Sequence, residues 1–190
     1  MERQGCNIID GLKRNGYRTV GTGAVGWFDR SSETAKHLTE DFDEFFFAGD
    51  RQSVAGQLAW LEARMSASQR NFIFINIGET HVPYYHKAAP WDSSFNPCVP
   101  FGKANDASES RRRQLSCLEF VDGQLAGLVT AFRCATTLIC ADHGDCWGED
   151  GLWEHRIHHI RVLEVPLLLR RGEAITDSAP HRNRDDSHDA

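Results

Sequence analysis

Thr137-Leu138-Ile139-Cys140-Ala141-Asp142-His143-Gly144-Asp145 is the stretch on which the fold turns. A short apolar run, β-branched at its start, stops abruptly at a carboxylate, an imidazole and a glycine. Its length and bounding glycine predict a buried strand. In an open α/β sheet, ligands bind outside the carboxyl ends of the strands. Asp142 and His143 therefore stand where such a protein places its chemistry, and a carboxylate beside an imidazole is a common ligand pair for a divalent cation. The plainer alternative makes Asp142 a cap and His143 a satisfied polar residue at a strand end. The residues that follow weigh against it. Gly148, Gly151, Trp153 and His155 form a glycine-rich segment, and Glu164-Val165-Pro166-Leu167-Leu168-Leu169-Arg170 predicts a second buried strand.

Upstream, Leu115, Leu118, Val121, Leu125, Leu128 and Phe132 recur every three or four residues and predict a helix from about Glu109 to Phe132. Val54, Leu58, Leu61 and Met65 predict another from Arg51 to Gln69. It leads into Phe72-Ile73-Phe74-Ile75-Asn76-Ile77-Gly78, a continuous apolar strand of the kind a parallel sheet buries on both faces. Ile8, Ile9 and Leu12, stopped by Asn15-Gly16, predict a short helix before a strand at Tyr17-Arg18-Thr19-Val20. Phe42, Phe45, Phe46 and Phe47 predict a helix or strand edge packed by aromatics. Helix and strand alternate throughout, which implies an α/β fold: a mostly parallel sheet with right-handed crossover helices. Residues 84 to 107 show little periodicity. A loop that long in a compact domain is usually functional, and its place after a strand end suits a substrate-selecting wall.

The chain has 190 residues, 41% hydrophobic and 25% charged, with net charge −6. That suits one domain and gives no electrostatic reason to expect nucleic acid. Arg111-Arg112-Arg113 predicts a solvated helix start. No stretch approaches the roughly 18 apolar residues of a membrane span, and residues 1–6 hold no apolar run suited to a signal peptide. Six cysteines without close metal spacing predict free thiols, Cys140 in a buried strand and Cys117 in a helix, and hence a cytoplasmic protein. The domain is expected over residues 1–171, with a disordered charged tail over 172–190.

The ordered motifs resemble the sulfatase branch of the alkaline phosphatase superfamily. There a strand ends in Asp-His-Gly-Glu, a glycine-rich loop carries a further histidine, and an Arg-Val-Pro-Leu-like strand follows. This chain has Asp142-His143-Gly144-Asp145, His155 and Glu164-Val165-Pro166-Leu167, with Asp145 in place of Glu and Glu154 where glycine is usual. The His81-Val82-Pro83-Tyr84 step after the Phe72 strand also resembles that branch and its lipoteichoic-acid-synthase-like members. So does the helix leading into Gly16-Tyr17-Arg18-Thr19.

The resemblance spans about residues 8–171. It implies a divalent cation (calcium, manganese, zinc or magnesium) held by Asp142 and His143. It also implies that His81 and His155 contact an anionic sulfate or phosphate ester, and that a serine, threonine or formylglycine serves as nucleophile. The segment that bears the nucleophile in the family has no counterpart in residues 1–7. The expectation is therefore either a fragment or a short form that uses water or draws missing elements from another chain. Cys98-Val99-Pro100 is out of order for the formylglycine motif and has Gly102 in place of its arginine. His158 and His159 are open as further ligands or surface residues.

The function this implies is a metal-dependent hydrolase or transferase of sulfate or phosphate esters. The alternative is a non-catalytic metal- or anion-binding module of the same fold. A third reading takes Gly21-Thr22-Gly23-Ala24-Val25-Gly26 as a dinucleotide fingerprint. Trp27-Phe28-Asp29-Arg30 is poor material for the helix that fingerprint needs, so a flexible glycine loop is expected there.

Overall fold

The structure is a computed structural model that describes residues 7–66 and 68–172. The expected disordered tail lies outside the described residues from 173 onward.

Helix α1 (Ile8–Arg14) begins at Asn7, whose side chain accepts from the Asp10 N–H, and ends at Asn15. Strand β1 (Arg18–Gly23) follows and is almost wholly buried. It forms the centre of a parallel three-stranded sheet, between β2 (Glu44–Phe47) and β3 (Asn71–Ile75), with Val20 opposite both Glu44 and Ile73. One face of this sheet is an aromatic layer. Phe28 packs against Phe45 and Phe74, and Phe42 packs against Phe45, Phe72 and Phe74, with ring centroids 5.2–6.3 Å apart.

The glycine fingerprint dissolves into that layer. Gly21 and Gly23 lie inside β1, and a Cβ on Gly21 would come within 2.6 Å of the Phe45 ring. Close aromatic approach, not loop flexibility, accounts for glycine there. Gly26–Phe28 is a single 3-10 turn.

Helix α2 (Glu33–Thr39) is capped by Ser32. Helix α3 (Val54–Glu62) covers the opposite face of the sheet and buries Val54, Leu58 and Leu61. It is shorter at both ends than the periodicity predicts, because Arg51–Ser53 and the chain after Glu62 leave the helical path. Its buried Gln57 donates to the Thr22 hydroxyl at 3.0 Å and the Asn76 carbonyl at 2.8 Å, which ties the helix to both strands.

Helix α4 (Ala107–Ala131) starts at Asp106, which accepts from the Glu109 N–H at 3.0 Å. Arg113 is not solvated as expected but 3% exposed. Its guanidinium donates to Glu109 Oε1 at 2.7 Å and to the Phe95 carbonyl at 2.8 Å. These bonds, with Ser110 Oγ donating to the Pro97 carbonyl, pin the 84–107 segment onto the helix. Val82, Tyr84, Cys98 and Cys117 make a second small core, flanked by Trp91, Trp147 and Trp153.

Strand β4 (Thr137–Cys140) departs from expectation in two ways. It pairs antiparallel with β7 (Leu167–Arg170), because the short helix α5 (Ile160–Leu163) turns the chain back instead of crossing over. Nor is either strand buried: Leu138, Leu167, Leu168 and Leu169 are all at least 58% exposed, and Cys140 is exposed too. Among the described residues nothing covers this ribbon. Between its strands a small hairpin forms from β5 (Cys146–Trp147) and β6 (Trp153–Glu154).

Candidate functional site

The segments after β3 and β4 line one pocket of about 290 Å³, together with Val25, Gln114, Leu118, Trp147, Arg161 and Glu164. His81 and His143 reach it from those two strand ends, and His155, from the segment after β6, packs against both rings without itself lining the pocket. Ring centroids are 4.0 Å apart for His143 and His155, 4.9 Å for His81 and His155, and 5.7 Å for His81 and His143. One ligand nitrogen from each lies within 4.8 Å of those of the other two.

The tautomers follow from the acceptors. His81 Nδ1 is 2.9 Å from the Val82 carbonyl, His143 Nδ1 is 2.9 Å from the Gly144 carbonyl, and His155 Nδ1 is 2.8 Å from Asp145 Oδ1. A carbonyl or carboxylate oxygen can only accept, so each Nδ1 carries a proton and Nε2 is the ring nitrogen left to meet a ligand. Three imidazoles oriented alike by their outer nitrogens are the arrangement that metal ligands need. Burial pushes His81 below the usual imidazole range, so it is neutral near pH 7.

Asp145 anchors this arrangement. Its side chain is 4% exposed and holds the His155 side chain, itself 11% exposed. The second carboxylate oxygen accepts from the Tyr84 hydroxyl at 2.7 Å, and Trp147 Nε1 donates to that hydroxyl at 2.9 Å. Burial and the neighbouring carboxylate drive the Tyr84 pKa upward, so the phenol stays a donor. Gly144 closes the turn: its N–H donates to the Val162 carbonyl at 2.9 Å, and any Cβ would collide with the Arg161 carbonyl.

Each residue singled out in the sequence thus has a place. His81, His143 and His155 converge. Asp142 lines the same pocket at its rim, 81% exposed at the side chain, with Oδ1 3.9 Å from His143 Nε2. His159 does not join them. It caps α5 through the Arg161 N–H and contacts Cys146 Sγ at 3.1 Å and Asp150 at 3.3 Å. His158 is exposed. The 84–107 segment, expected as a substrate wall, contributes no residue to the pocket lining.

Sequence reasoning missed Tyr84, Trp147 and Glu79. Glu79 is 1% exposed, and its carboxylate accepts from the Val54 N–H at 2.8 Å. It caps α3 immediately before the His81 turn, and burial raises its pKa. Only the Asp-His-Gly-Asp run hinted at Asp145.

With this geometry in hand, the comparisons are specific about the fold. The chain has the α/β fold of the alkaline phosphatase superfamily. It is similar to the C-terminal periplasmic domain of EcEptC from Escherichia coli, solved as a complex with Zn. The TM-score there is 0.63 at 16% identity, over 88% of this chain and 52% of that one. It also matches the lipoteichoic acid synthase LtaP from Listeria monocytogenes, with TM-score 0.57, 11% identity, and 87% and 46% coverage. A third match is a protein in the alkaline phosphatase superfamily from Vibrio parahaemolyticus, with TM-score 0.53, 14% identity, and 87% and 41% coverage. The chain therefore spans about half the length of the solved structures it matches. No protein-family model and no curated protein matches the sequence.

Proposed function

We propose that this chain is the histidine-bearing part of a divalent-cation-dependent hydrolase or transferase acting on phosphate or sulfate esters. One observation carries the reading: three imidazoles that bring one ligand nitrogen each to within 4.8 Å of the others, with every Nδ1 already committed to an oxygen. His81, His143 and His155 would hold the cation, and Asp142 stands beside His143 to neutralise its charge. Three protein ligands leave a position for substrate, as in catalytic zinc sites. A bound cation would supply Lewis-acid polarisation of an ester oxygen. Arg161, in the pocket wall, gives an anionic ester a second positive contact. Asp145 fixes His155, and burial keeps His81 unprotonated.

Zinc is the first candidate, since the EcEptC domain was solved with it. The free thiols of Cys98, Cys117, Cys134, Cys140 and Cys146 favour a reducing compartment such as the cytoplasm. No helix among the described residues is long and apolar enough to cross a membrane.

Titration of the metal-free protein with zinc, read by calorimetry and with cobalt(II) absorption as a second probe, tests this. Replacing any one of the three histidines with alanine should weaken binding about 100-fold, and Asp142→Ala by about tenfold or less. Affinity should fall as pH drops, because protons compete with the metal for the imidazole nitrogens. Unchanged affinity in His143→Ala and His155→Ala, with the fold intact by circular dichroism, would refute the site.

A second reading has its own observation. Among the described residues that line the pocket, Thr80 alone has a hydroxyl side chain and none is a cysteine. A binding module without turnover would show the same zinc titration and no ester cleavage.

A further inference from the structure

Strand β3 hands over to the pocket at Asn76, and every polar group of that residue but one is already engaged. Its N–H donates to the Thr22 carbonyl at 2.9 Å, and its carbonyl accepts from Gln57 Nε2 at 2.8 Å. Its side-chain Oδ1 accepts from the Ala24 N–H at 3.2 Å and the Val25 N–H at 3.3 Å. Backbone N–H groups can only donate, so the amide cannot be turned the other way round. The group left over is Nδ2, whose two N–H donors have no partner among the described residues and are not sealed in the core. Asn76 is half-buried and lines the pocket with Thr80, His81 and Arg161. Thr80 and Gln114 are its other uncharged polar residues, and no hydrogen bond fixes either side chain among the described residues.

We infer that Asn76 Nδ2 donates to a non-bridging oxygen of the bound ester, which makes Asn76 a substrate-contacting residue of this site. The inference rests on the ester reading of the pocket given above. A non-bridging oxygen is the acceptor common to sulfate and phosphate esters, and its negative charge makes the hydrogen bond one of the stronger kind. Thr22, Gln57 and the Ala24–Val25 turn hold the amide before any ligand arrives, so the bond forms without reorganising the site. The side-chain oxygen has a separate task. It clamps the Ala24–Val25 turn, and Val25 is itself part of the pocket wall.

Asn76→Asp separates the two tasks: it keeps an oxygen for the Ala24 and Val25 N–H groups and replaces the donor with an acceptor. The probes are dimethyl phosphate and methyl sulfate, titrated by calorimetry into the full chain with and without zinc. Both are singly charged, so a difference between them reports phosphoryl against sulfuryl. Asn76→Asp should weaken binding of whichever anion the chain takes by at least about tenfold, with an unchanged melting temperature and no loss of zinc affinity. Asn15→Asp, which adds the same charge outside the pocket lining, should bind as the unmodified chain does. In the unmodified chain the Asn76 side-chain amide protons should move downfield in nitrogen-15 NMR spectra as the anion saturates, which decides the matter if the variant folds poorly. No anion binding at all, equal binding by Asn76→Asp, or amide signals that stay in place would overturn the inference. Failure of the zinc titration with the Asn76 contrast intact would refute the cation and leave the donor standing.

Discussion

His155 is held less by its own loop than by Asp145, ten residues earlier, and that carboxylate is held in turn by Tyr84. Asp145→Asn keeps the volume but weakens the acceptor for His155 Nδ1–H. Losses of this kind cost about 10–100-fold in metal affinity, so zinc titration should show a drop in that range with secondary structure intact. Glu154 offers the opposite test. It sits at φ 66°, a left-handed conformation that disfavours a Cβ. The sulfatase-like motif has glycine there, and Glu154→Gly should stabilise the protein by about 0.5–1 kcal/mol in urea unfolding.

At this scale the sequence was half legible. His143 was legible because it ends an apolar strand, whereas His81 and His155 stood out through the sulfatase-like motifs they belong to. Tyr84 did not, because its role depends on a turn with φ 55° that aims the ring inward, and no periodicity encodes such a turn.

Among the elements, α4 shows how local charge becomes tertiary structure. Arg112 and Arg113 hydrogen-bond Glu109 and hold its carboxyl down at about 2. An acid with a depressed native pKa contributes stability above its unfolded pKa, about 4.3, and loses it as pH falls through the native value. Glu109→Gln should therefore cost stability at pH 7 and little near pH 2. The cost should be only about 1–2 kcal/mol, because the Glu109 side chain is 26% exposed and solvent screens it. Urea titrations at the two pH values measure it. Helix existence was readable from the apolar spacing, whereas the burial of Arg113 was not. A run of three arginines carries no mark of which one the Phe95 carbonyl will claim. Similarly, the apolar strands at 137–140 and 167–170 predicted burial, since sequence records what a strand needs and not whether anything covers it.

For the whole molecule, the expected activity follows from what surrounds the pocket. Covalent catalysis requires an activated nucleophile within about 3 Å of the attacked atom. The pocket offers Thr80 and no base assigned to it. Cys146 has a histidine neighbour but is buried, with its thiol pKa raised by desolvation. The isolated chain should therefore cleave nitrophenyl sulfate, phosphate monoester and phosphodiester slowly or not at all with added zinc, manganese or calcium. Rapid nitrophenol release abolished by His143→Ala would show that the chain carries a complete catalytic set. The uncovered leucines of the β4–β7 ribbon have a further consequence, for the life of the protein in a cell. Chaperones and proteases survey for such surfaces, so the amount of this chain at steady state should follow the supply of whatever shields it. Expressed alone, it should be short-lived; co-expressed with a shielding segment, it should accumulate without any change in its rate of synthesis.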